Sequence, residues 1–176
     1  GLLTQARARR SLIAGNKAAS LWDIGDDIAV FEIHSKMNSL SAEVFEVLEA
    51  TLAQPLRGLV VGNDDPRSFS AGADLMHFSS FMKAGDWGGL EAYVARGQDL
   101  MLRLKYAAFP SVAAAHGVAL GGGAELMLHC TTIAAHAELT AGFPETTLGI
   151  VPAWGGCAQM LLRKARDTAA TRGPVA

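Results

Sequence analysis

Two apolar blocks separated by a short polar turn dominate the pattern near the start of the chain. Residues 21–24 and 28–33 flank Gly25-Asp26-Asp27, a turn sequence typical of a β-hairpin. The next apolar positions recur at helical spacing, which predicts an amphipathic helix capped by Ser41 and ended by Pro55. The first third of the chain is therefore expected to form a hairpin followed by a helix.

The middle of the chain combines one continuous apolar run with two stretches of helical periodicity. Residues 59–62 predict a short buried strand, and residues 63–70 predict a polar loop. Helical spacing of apolar residues begins near residue 78, is interrupted by the glycines at 85–89, and continues over residues 90–106. We therefore expect two helices with a break between them.

Strand and helix patterns continue to alternate in the second half. Residues 111–115 predict extended structure, a helix is predicted to begin near Gly122, and residues 131–135 predict another short strand. Alternation of this kind is typical of an α/β fold.

The two ends of the chain indicate how it is organised into domains. Residues 1–18 place a few apolar side chains among arginine, glutamine and alanine, which predicts a linker or helix from a preceding domain. Residues 19–176 are expected to form one domain. The chain begins at Gly1 rather than methionine and stops at residues 173–176, so we interpret it as a fragment of a longer protein.

Composition narrows the class of protein. The 176 residues suffice for one domain with a buried core, and 50% hydrophobic with only 18% charged residues is not the composition of a disordered chain. The net charge of −2 gives no electrostatic reason to expect nucleic acid or a membrane as a partner. No signal peptide is visible, and the apolar runs are too short to span a membrane.

The two cysteines give no sign of a metal site. Cys130 and Cys157 lie in apolar or glycine-rich surroundings without a second ligand pattern near either of them. We interpret them as reduced, unpaired packing residues, which predicts a cytoplasmic location.

A glycine-rich stretch at residues 117–123 raises the question of nucleotide binding. It does not match G-x-G-x-x-G in any frame, because Leu126 occupies the place of the last glycine. No Gly-Lys-Ser/Thr sequence follows, so the pattern is not a P-loop either. The glycines are better suited to bringing bare backbone amides close to a ligand oxygen.

Two backbone sites could supply such amides. The first amides of a helix have no internal partner and lie at the positive end of its dipole, so an amide near Gly122 suits an oxygen that becomes negative during a reaction. A second glycine-flanked amide is available at Ala71-Gly72-Ala73. Two converging donors would form an oxyanion hole. The alternative is that both glycine sites are merely tight turns.

Two glutamates lie in mostly apolar sequence near these glycines. Glu125 falls about one turn into the helix that follows the triple glycine, and Glu145 follows Pro144. Burial would raise the pKa values of such carboxyls toward neutrality, which suits an acid/base pair. The alternative is that Glu125 caps its helix and Glu145 begins the next one, and pattern alone leaves both interpretations open.

Four motifs in order along the chain resemble the crotonase superfamily, that is, the enoyl-CoA hydratase/isomerase family. The resemblance covers roughly residues 19–162. A single motif is weak, but the order and spacing of all four are specific. The motifs are Lys36-Met37-Asn38-Ser39-Leu40, then Phe69-Ser70-Ala71-Gly72-Ala73-Asp74-Leu75, then His116–Leu126, and last Gly142-Phe143-Pro144-Glu145 with Leu148-Gly149-Ile150-Val151-Pro152 and Gly155-Gly156.

This resemblance implies a crotonase-like spiral of ββα units that binds acyl-coenzyme A. It implies that the amides of Ala73 and Gly122 are the oxyanion donors, that Glu125 helps to activate water, and that Glu145 delivers a proton to the α-carbon. Neither a metal nor a redox cofactor is expected, because the coenzyme A thioester is the substrate. The residues implied to contact the coenzyme are Lys36, Met37, Ala71, Asp74 and Leu75.

The presence of both glutamates favours one reaction of the family, the hydration of a 2-enoyl-CoA to a 3-hydroxyacyl-CoA in fatty acid oxidation. The alternatives are an enoyl-CoA isomerase or another crotonase-type reaction, and a non-catalytic acyl-CoA-binding module of a multienzyme. An isomerase would need mainly the second glutamate.

The start of the chain also resembles the junction of bacterial fusion proteins in which a 3-hydroxyacyl-CoA dehydrogenase precedes a hydratase-like unit. A covalently fused dehydrogenase domain and a homo-oligomer of the trimer type are therefore expected partners. The family's usual C-terminal helices, which cover the acyl pocket and support trimers, are expected to be lacking. We therefore expect the fragment to fold but to have impaired activity and an altered assembly state.

Three positions depart from the family pattern. His116 stands where asparagine is common, Trp154 replaces a small residue beside the glycines, and Met76 stands where a lysine often approaches the coenzyme. These departures bear on the affinity for coenzyme A more than on the chemistry.

Overall fold

The chain folds into an α/β structure whose strands form two sheets. This computed structural model describes residues 2–172, and over that range it contains nine strands and six α-helices. The strands are β1 (Leu12–Gly15), β2 (Ala19–Gly25), β3 (Ile28–Ile33), β4 (Gly58–Gly62), β5 (Ser68–Ser70), β6 (Ser111–Ala115), β7 (Val118–Leu120), β8 (Thr132–Ala135) and β9 (Thr140–Gly142). The helices are α1 (Leu2–Arg9), α2 (Ala42–Leu52), α3 (Leu75–Ala84), α4 (Trp87–Lys105), α5 (Gly122–His129) and α6 (Gly156–Arg172).

The larger sheet has six strands in the order β1-β2-β3-β4-β6-β8. Strands β2 and β3 form the predicted antiparallel hairpin, and the two turn residues, Asp26 and Asp27, have φ angles of 56° and 59°. Positive φ at both central positions gives a turn whose twist matches that of the flanking strands. From β3 to β8 the neighbouring strands are parallel, so each connection must cross over the sheet.

A smaller parallel sheet, in the order β5-β7-β9, joins distant parts of the chain. In each of the pairs β4–β5, β6–β7 and β8–β9, the first strand enters the larger sheet and the second enters the smaller one. One or two helices follow each pair. This repetition is the predicted spiral of ββα units, which the structure confirms.

The short strands are where the sequence-based predictions are wrong. The predicted polar loop at residues 63–70 ends in strand β5, and the hydrophobic pattern does not predict β7 or β9 at all. Each of these strands has only three residues, too few to show an alternation of apolar and polar positions. They form because each finds a parallel partner from a distant part of the chain.

The ends of the helices follow their capping residues. Ser41 caps α2 as predicted, and its hydroxyl accepts a hydrogen bond from the amide of Val44. The predicted break at residues 85–89 is shorter in the structure, because α4 already begins at Trp87. Asp86 caps this helix by accepting a hydrogen bond from the amide of Gly89 at 2.9 Å.

The first residues of the chain pack against the rest of the fold. Strand β1 pairs antiparallel with β2 at the edge of the larger sheet. Arg7 of α1 forms an ion pair with buried Glu32 of β3 and another with Asp64 at 3.1 Å. Residues 2–18 are therefore not a detached linker in this structure. Their origin in a preceding domain, and the boundary at residue 19, stay a prediction.

The hydrophobic core positions one particular helix, α5. The core includes Phe31 on the larger sheet and Phe45 on α2, both fully buried, and α5 is buried over its whole length. Glu125 thus enters the interior on an otherwise largely apolar helix. Within residues 2–172, none of the helices combines the length and the apolar character needed to cross a membrane. The predicted cut at residues 173–176 lies outside the described range.

Candidate active site

Two glycine-rich turns, one after β5 and one before α5, lie in direct contact. A Cβ atom built on Gly72 would lie 2.5 Å from the carbonyl oxygen of Leu120 and 3.0 Å from the amide nitrogen of Gly122. A Cβ atom built on Gly122 would lie 3.3 Å from the amide nitrogen of Ala73. Only residues without side chains allow the two backbones to approach so closely. The predicted donor amides of Ala73 and Gly122 are therefore neighbours.

Both of these amides are available to a ligand. Among residues 2–172, neither the amide of Ala73 nor that of Gly122 donates a hydrogen bond to a protein acceptor. Gly122 is the first residue of α5, where the amides lack intrahelical partners and the helix dipole is positive. Two such donors together can stabilise an oxygen that becomes negative during a reaction.

Glu125 is held inside the protein by two backbone amides. Its Oε1 accepts hydrogen bonds from the amides of Trp154 and Gly156, each at 2.8 Å. Burial raises the pKa of the carboxyl, the two amide hydrogen bonds partly offset that rise, and the charge of Glu145 adds to it. Glu125 does not cap its own helix, so this alternative is wrong. A carboxyl with a raised pKa suits acid/base work near neutral pH.

Glu145 lies in the first turn of a short 3₁₀ helix, Pro144–Leu148, that follows β9. Its side chain is only 8% exposed, and its Oε2 has no hydrogen-bond partner among the described residues. A Cβ atom built on Gly121 would lie 2.8 Å from its Oε1, so this glutamate packs against the glycines before α5. Glu145 lies at the start of a helix, as the alternative interpretation expects. That position alone does not explain why a buried carboxyl oxygen has no hydrogen-bond partner.

The two glutamates line one small cavity of about 60 Å³ together with the two residues that carry these amides, Ala73 and Gly122. All four residues predicted as catalytic, Glu125, Glu145, Ala73 and Gly122, are thus brought together. The rest of the wall is mainly apolar, and it is formed by Leu75, Phe78, Tyr93, Val94, Ile150, Val151, Ala153 and Trp154. Acid/base groups beside paired amide donors can handle protons next to a polarised carbonyl. The catalytic roles of the four residues stay a prediction.

Of the residues predicted to contact the coenzyme, only Leu75 is among the residues that line the cavity. Leu75 is 55% exposed. The amide of Ala71 donates to the carbonyl of Met37 at 3.2 Å, which brings the exposed turn with Lys36 and Met37 next to this segment. The Asp74 carboxylate is occupied by two amides of α3, which it caps. Their contact with coenzyme A stays a prediction.

The prediction did not include most of the apolar wall of the cavity, nor the residues that hold Glu125 in place. The amides of Trp154 and Gly156 orient Glu125, and Tyr93 lines the cavity while its hydroxyl donates to the carbonyl of Leu40 at 2.6 Å. The Gly155-Gly156 motif is a signal that could have pointed to the first two. Tyr93 gives no local signal, because it is one of several apolar side chains on the buried side of α4.

Of the three departures from the family pattern, only Trp154 reaches the cavity. A ring nitrogen of His116, Nε2, lies 2.7 Å from the carbonyl oxygen of Asp65, outside the cavity wall. Met76 is 83% exposed on α3. Trp154 is therefore the departure that bears on the site.

A Glu125→Gln variant should become more stable relative to the wild-type chain as the pH rises. Its amide oxygen can still accept the two backbone hydrogen bonds, but the side chain no longer ionises. Folding raises the pKa of Glu125 from its ordinary value of 4.5, so the native state retains the proton to higher pH than the unfolded state does. The wild-type chain therefore loses stability as the pH rises from 4.5 through the raised pKa.

Thermal unfolding measured between about pH 4 and pH 8 checks this expectation. The melting temperature of Glu125→Gln minus that of the wild type should increase with pH. Glu138→Gln is a matched control, because Glu138 is exposed between β8 and β9. A difference that stays constant over the whole range would contradict the raised pKa.

The fold and the site define a domain of the crotonase type, with two buried glutamates beside two backbone amides that have no described protein acceptor. The sequence profile of the family described as "Enoyl-CoA hydratase/isomerase" matches residues 27–171. Since this match spans most of the chain, the chain belongs to the enoyl-CoA hydratase/isomerase family. The predicted family and fold are thereby confirmed.

Similar proteins agree with this assignment. A probable 3-hydroxyacyl-CoA dehydrogenase of Bacillus subtilis (strain 168) is 33% identical over 167 residues, which are 93% of this chain and 21% of that protein. A probable enoyl-CoA hydratase of the same strain is 38% identical over 135 residues, which are 73% of this chain and 51% of that protein. The enoyl-CoA hydratase of Bacillus anthracis has a crystal structure that matches with a TM-score of 0.73 at 28% identity, over 82% of this chain and 57% of that one.

The chain spans only part of the length of these relatives, and about a fifth of the length of the dehydrogenase. The predicted resemblance to dehydrogenase fusion proteins is confirmed by that match. The similar proteins are also named as enzymes, which confirms the prediction that the chain belongs to a family of enzymes.

Proposed function

We propose that this chain is an enoyl-CoA hydratase domain, which adds water to a 2-enoyl-CoA to give a 3-hydroxyacyl-CoA. The observation that carries the proposal is the cavity that two buried glutamates line together with Ala73 and Gly122. Water addition requires one group to take a proton from water, another to protonate carbon, and a site that stabilises the enolate between these events. The cavity offers a candidate for each role.

The proposed reaction begins at the thioester carbonyl. The oxygen accepts hydrogen bonds from the amides of Ala73 and Gly122, which draws electrons from the double bond and makes the β-carbon electrophilic. The carboxylate of Glu125 takes a proton from water as the new bond between oxygen and the β-carbon forms. Negative charge then resides on the thioester oxygen as an enolate, held by the two amides.

Protonation of carbon completes the addition. The enolate collapses as protonated Glu145 delivers its proton to the α-carbon, and the free Oε2 of this residue suits that task because no described protein group occupies it. At the end Glu125 holds the proton taken from water and Glu145 is ionised. Proton exchange between the carboxyls through solvent restores the starting state.

A second candidate is double-bond isomerisation, which the description of the family includes. An isomerase removes and returns a proton on carbon, and it has no water to activate. The retention of buried Glu125, oriented by two amides, favours hydration over isomerisation. A non-catalytic acyl-CoA-binding module would not need this acid/base pair.

The wider setting is also part of the proposal. One relative is named as a 3-hydroxyacyl-CoA dehydrogenase, and the product of hydration has the 3-hydroxyacyl group that this name describes. We therefore infer that the domain works in fatty acid oxidation beside a covalently linked dehydrogenase, as a homo-oligomer in the cytoplasm. No cofactor besides the coenzyme A of the substrate is required by the proposed steps.

An assay of Glu125→Gln on two substrates tests the proposal. With a 2-enoyl-CoA, loss of the water-activating carboxylate should lower kcat for hydration by about a hundred- to ten-thousand-fold. Any isomerisation of a 3-enoyl-CoA should change by less than about tenfold, because that reaction depends on Glu145. Spectrophotometry of the conjugated thioester follows both reactions. Wild-type hydration rates in the variant, or isomerisation without hydration in the wild type, would rule the proposal out.

A further inference from the structure

Trp154 occupies the interior space directly beside the candidate reaction centre. Its side chain is only 4% exposed, and its indole lies between α4 and α5 at two positions that have no side chain, Gly97 and Gly122. A Cβ atom at either glycine would clash with the indole ring. The tryptophan therefore fills a gap that exists because both facing residues are glycine.

Aromatic neighbours fix the indole in this place. Phe45 and Tyr93 pack edge-on against it, with ring centroids 5.3 Å and 5.8 Å away. The backbone amide of Trp154 is itself fixed, because it donates to Glu125 Oε1. A side chain that is held by four neighbours and by its own backbone cannot swing aside without disturbing the core.

The indole limits the space beside Gly122 in the cavity. The amides of Ala73 and Gly122 fix where the thioester oxygen would lie, and the benzo edge of the indole contacts Gly122 directly. The remaining cavity of about 60 Å³ is far smaller than the 300 Å³ or more of ordinary small-molecule sites. A long apolar tail has no interior space to enter on this side.

The position of the indole nitrogen supports a role in shape rather than in hydrogen bonding. The Nε1 of Trp154 is buried beside Gly97 and has no hydrogen-bond partner among residues 2–172. Burial of an unpaired donor is unfavourable, so hydrogen bonding of the indole does not explain this residue. The bulk of the indole in the cavity wall is the remaining property that could serve the site.

We propose that Trp154 forms the closed end of the acyl pocket and restricts the site to short acyl thioesters of about four carbons. This inference rests on the proposed function, since it assumes that a thioester occupies the Ala73 and Gly122 amides. It adds to the proposed function the length of acyl chain that the site accepts, and it names Trp154 as the side chain that limits this length.

Binding of saturated thioesters tests the proposal separately from catalysis, because saturated acyl chains cannot be hydrated. Calorimetry with butyryl-CoA and octanoyl-CoA should give a dissociation constant for octanoyl-CoA that is at least about tenfold higher in the wild-type chain. In an open apolar pocket the four additional methylenes would instead favour octanoyl-CoA. Equal or tighter binding of octanoyl-CoA by the wild type would overturn the proposal, and would indicate that the tail leaves along exposed Leu75 and Val151.

Two substitutions test whether the Trp154 side chain causes the preference for the shorter acyl chain. Trp154→Leu should lower the ratio of the octanoyl-CoA to the butyryl-CoA dissociation constant at least about tenfold, because the shortened side chain opens the end of the pocket. Trp22→Leu is the matched control. The Trp22 indole is half-buried on β2, donates to Glu32 Oε2 at 2.8 Å, and does not line the cavity. This control should keep the wild-type ratio.

Circular dichroism shows whether each variant is folded. The ratio of the octanoyl-CoA to the butyryl-CoA dissociation constant in the wild-type chain tests the proposal by itself. The proposal can therefore be overturned even if Trp154→Leu unfolds. An unchanged ratio in folded Trp154→Leu would also overturn it. A length preference in binding without hydration of any 2-enoyl-CoA would reject the proposed function alone. Hydration that is equally fast for short and long substrates would reject only this inference.

Discussion

Glu145→Gln is expected to lower kcat for hydration of a 2-enoyl-CoA by about a hundred- to ten-thousand-fold, the range that a positioned acid/base group contributes. Glutamine keeps the size of the side chain but has no proton to give to the α-carbon. The wild-type residue is only 8% exposed, its Oε2 has no partner among the described residues, and the other carboxyl of the cavity, Glu125, is held at its Oε1 by the amides of Trp154 and Gly156. Binding of a saturated acyl-CoA should change little, because the amides of Ala73 and Gly122 remain.

Steady-state hydration kinetics and calorimetry with butyryl-CoA measure the two effects. Glu138→Gln makes the same chemical change at an exposed position and should keep the wild-type kcat. Loss of binding in parallel with loss of kcat would mean that Glu145 has a structural role. Retention of more than about a tenth of the wild-type kcat would contradict its assignment as the proton donor.

Gly72→Ala is expected to lower kcat by about a hundred- to a thousand-fold, comparable to the loss of an oxyanion donor. The φ angle of Gly72 is 91°, a conformation that alanine adopts only under strain. Its added methyl group would lie 2.5 Å from the Leu120 carbonyl oxygen and 3.0 Å from the Gly122 amide nitrogen. The two turns must then separate, and the donor amides no longer converge.

A substitution at a second glycine distinguishes the effect of backbone strain from the effect of the close contact between the two turns. Gly85 also has a positive φ, 67°, but a Cβ atom there would meet nothing within 4 Å. Gly85→Ala should therefore cost about 1 kcal/mol of stability from strain alone and leave kcat unchanged. Melting temperatures and kcat of both variants check the comparison. A Gly72→Ala variant that stays folded with the wild-type kcat would show that the two turns do not form the oxyanion site.

Local features of the fold could be predicted because neighbouring residues decide them. The hairpin turn at Asp26 and Asp27 follows from residues that tolerate positive φ, and the start of α2 follows from the hydroxyl of Ser41. The helix that carries Glu125 follows from an apolar run after flexible glycines. Each of these interactions spans only a few residues.

The smaller sheet could not be predicted, because its pairing is between distant segments. Strand β5 pairs with β7, so that Ser68 lies opposite Val118, and β7 pairs with β9. Three-residue strands carry no detectable periodicity, and a parallel pair requires a long connection between its members. This sheet nevertheless places the Gly72 turn, the start of α5 and Glu145 at one cavity.

The amino-acid sequence by itself determined the chemical groups of the candidate site. Residue types that suit acid/base chemistry and backbone donation made Glu125, Glu145 and the two glycine-flanked amides candidates, and the family resemblance implied their roles. Only the tertiary structure decided that these groups share one cavity, that the amides of Trp154 and Gly156 hold Glu125, and that the indole of Trp154 lies beside them in the cavity wall. The reason is physical: residue type carries reactivity, whereas distance and volume arise from packing between parts of the chain that are far apart in sequence.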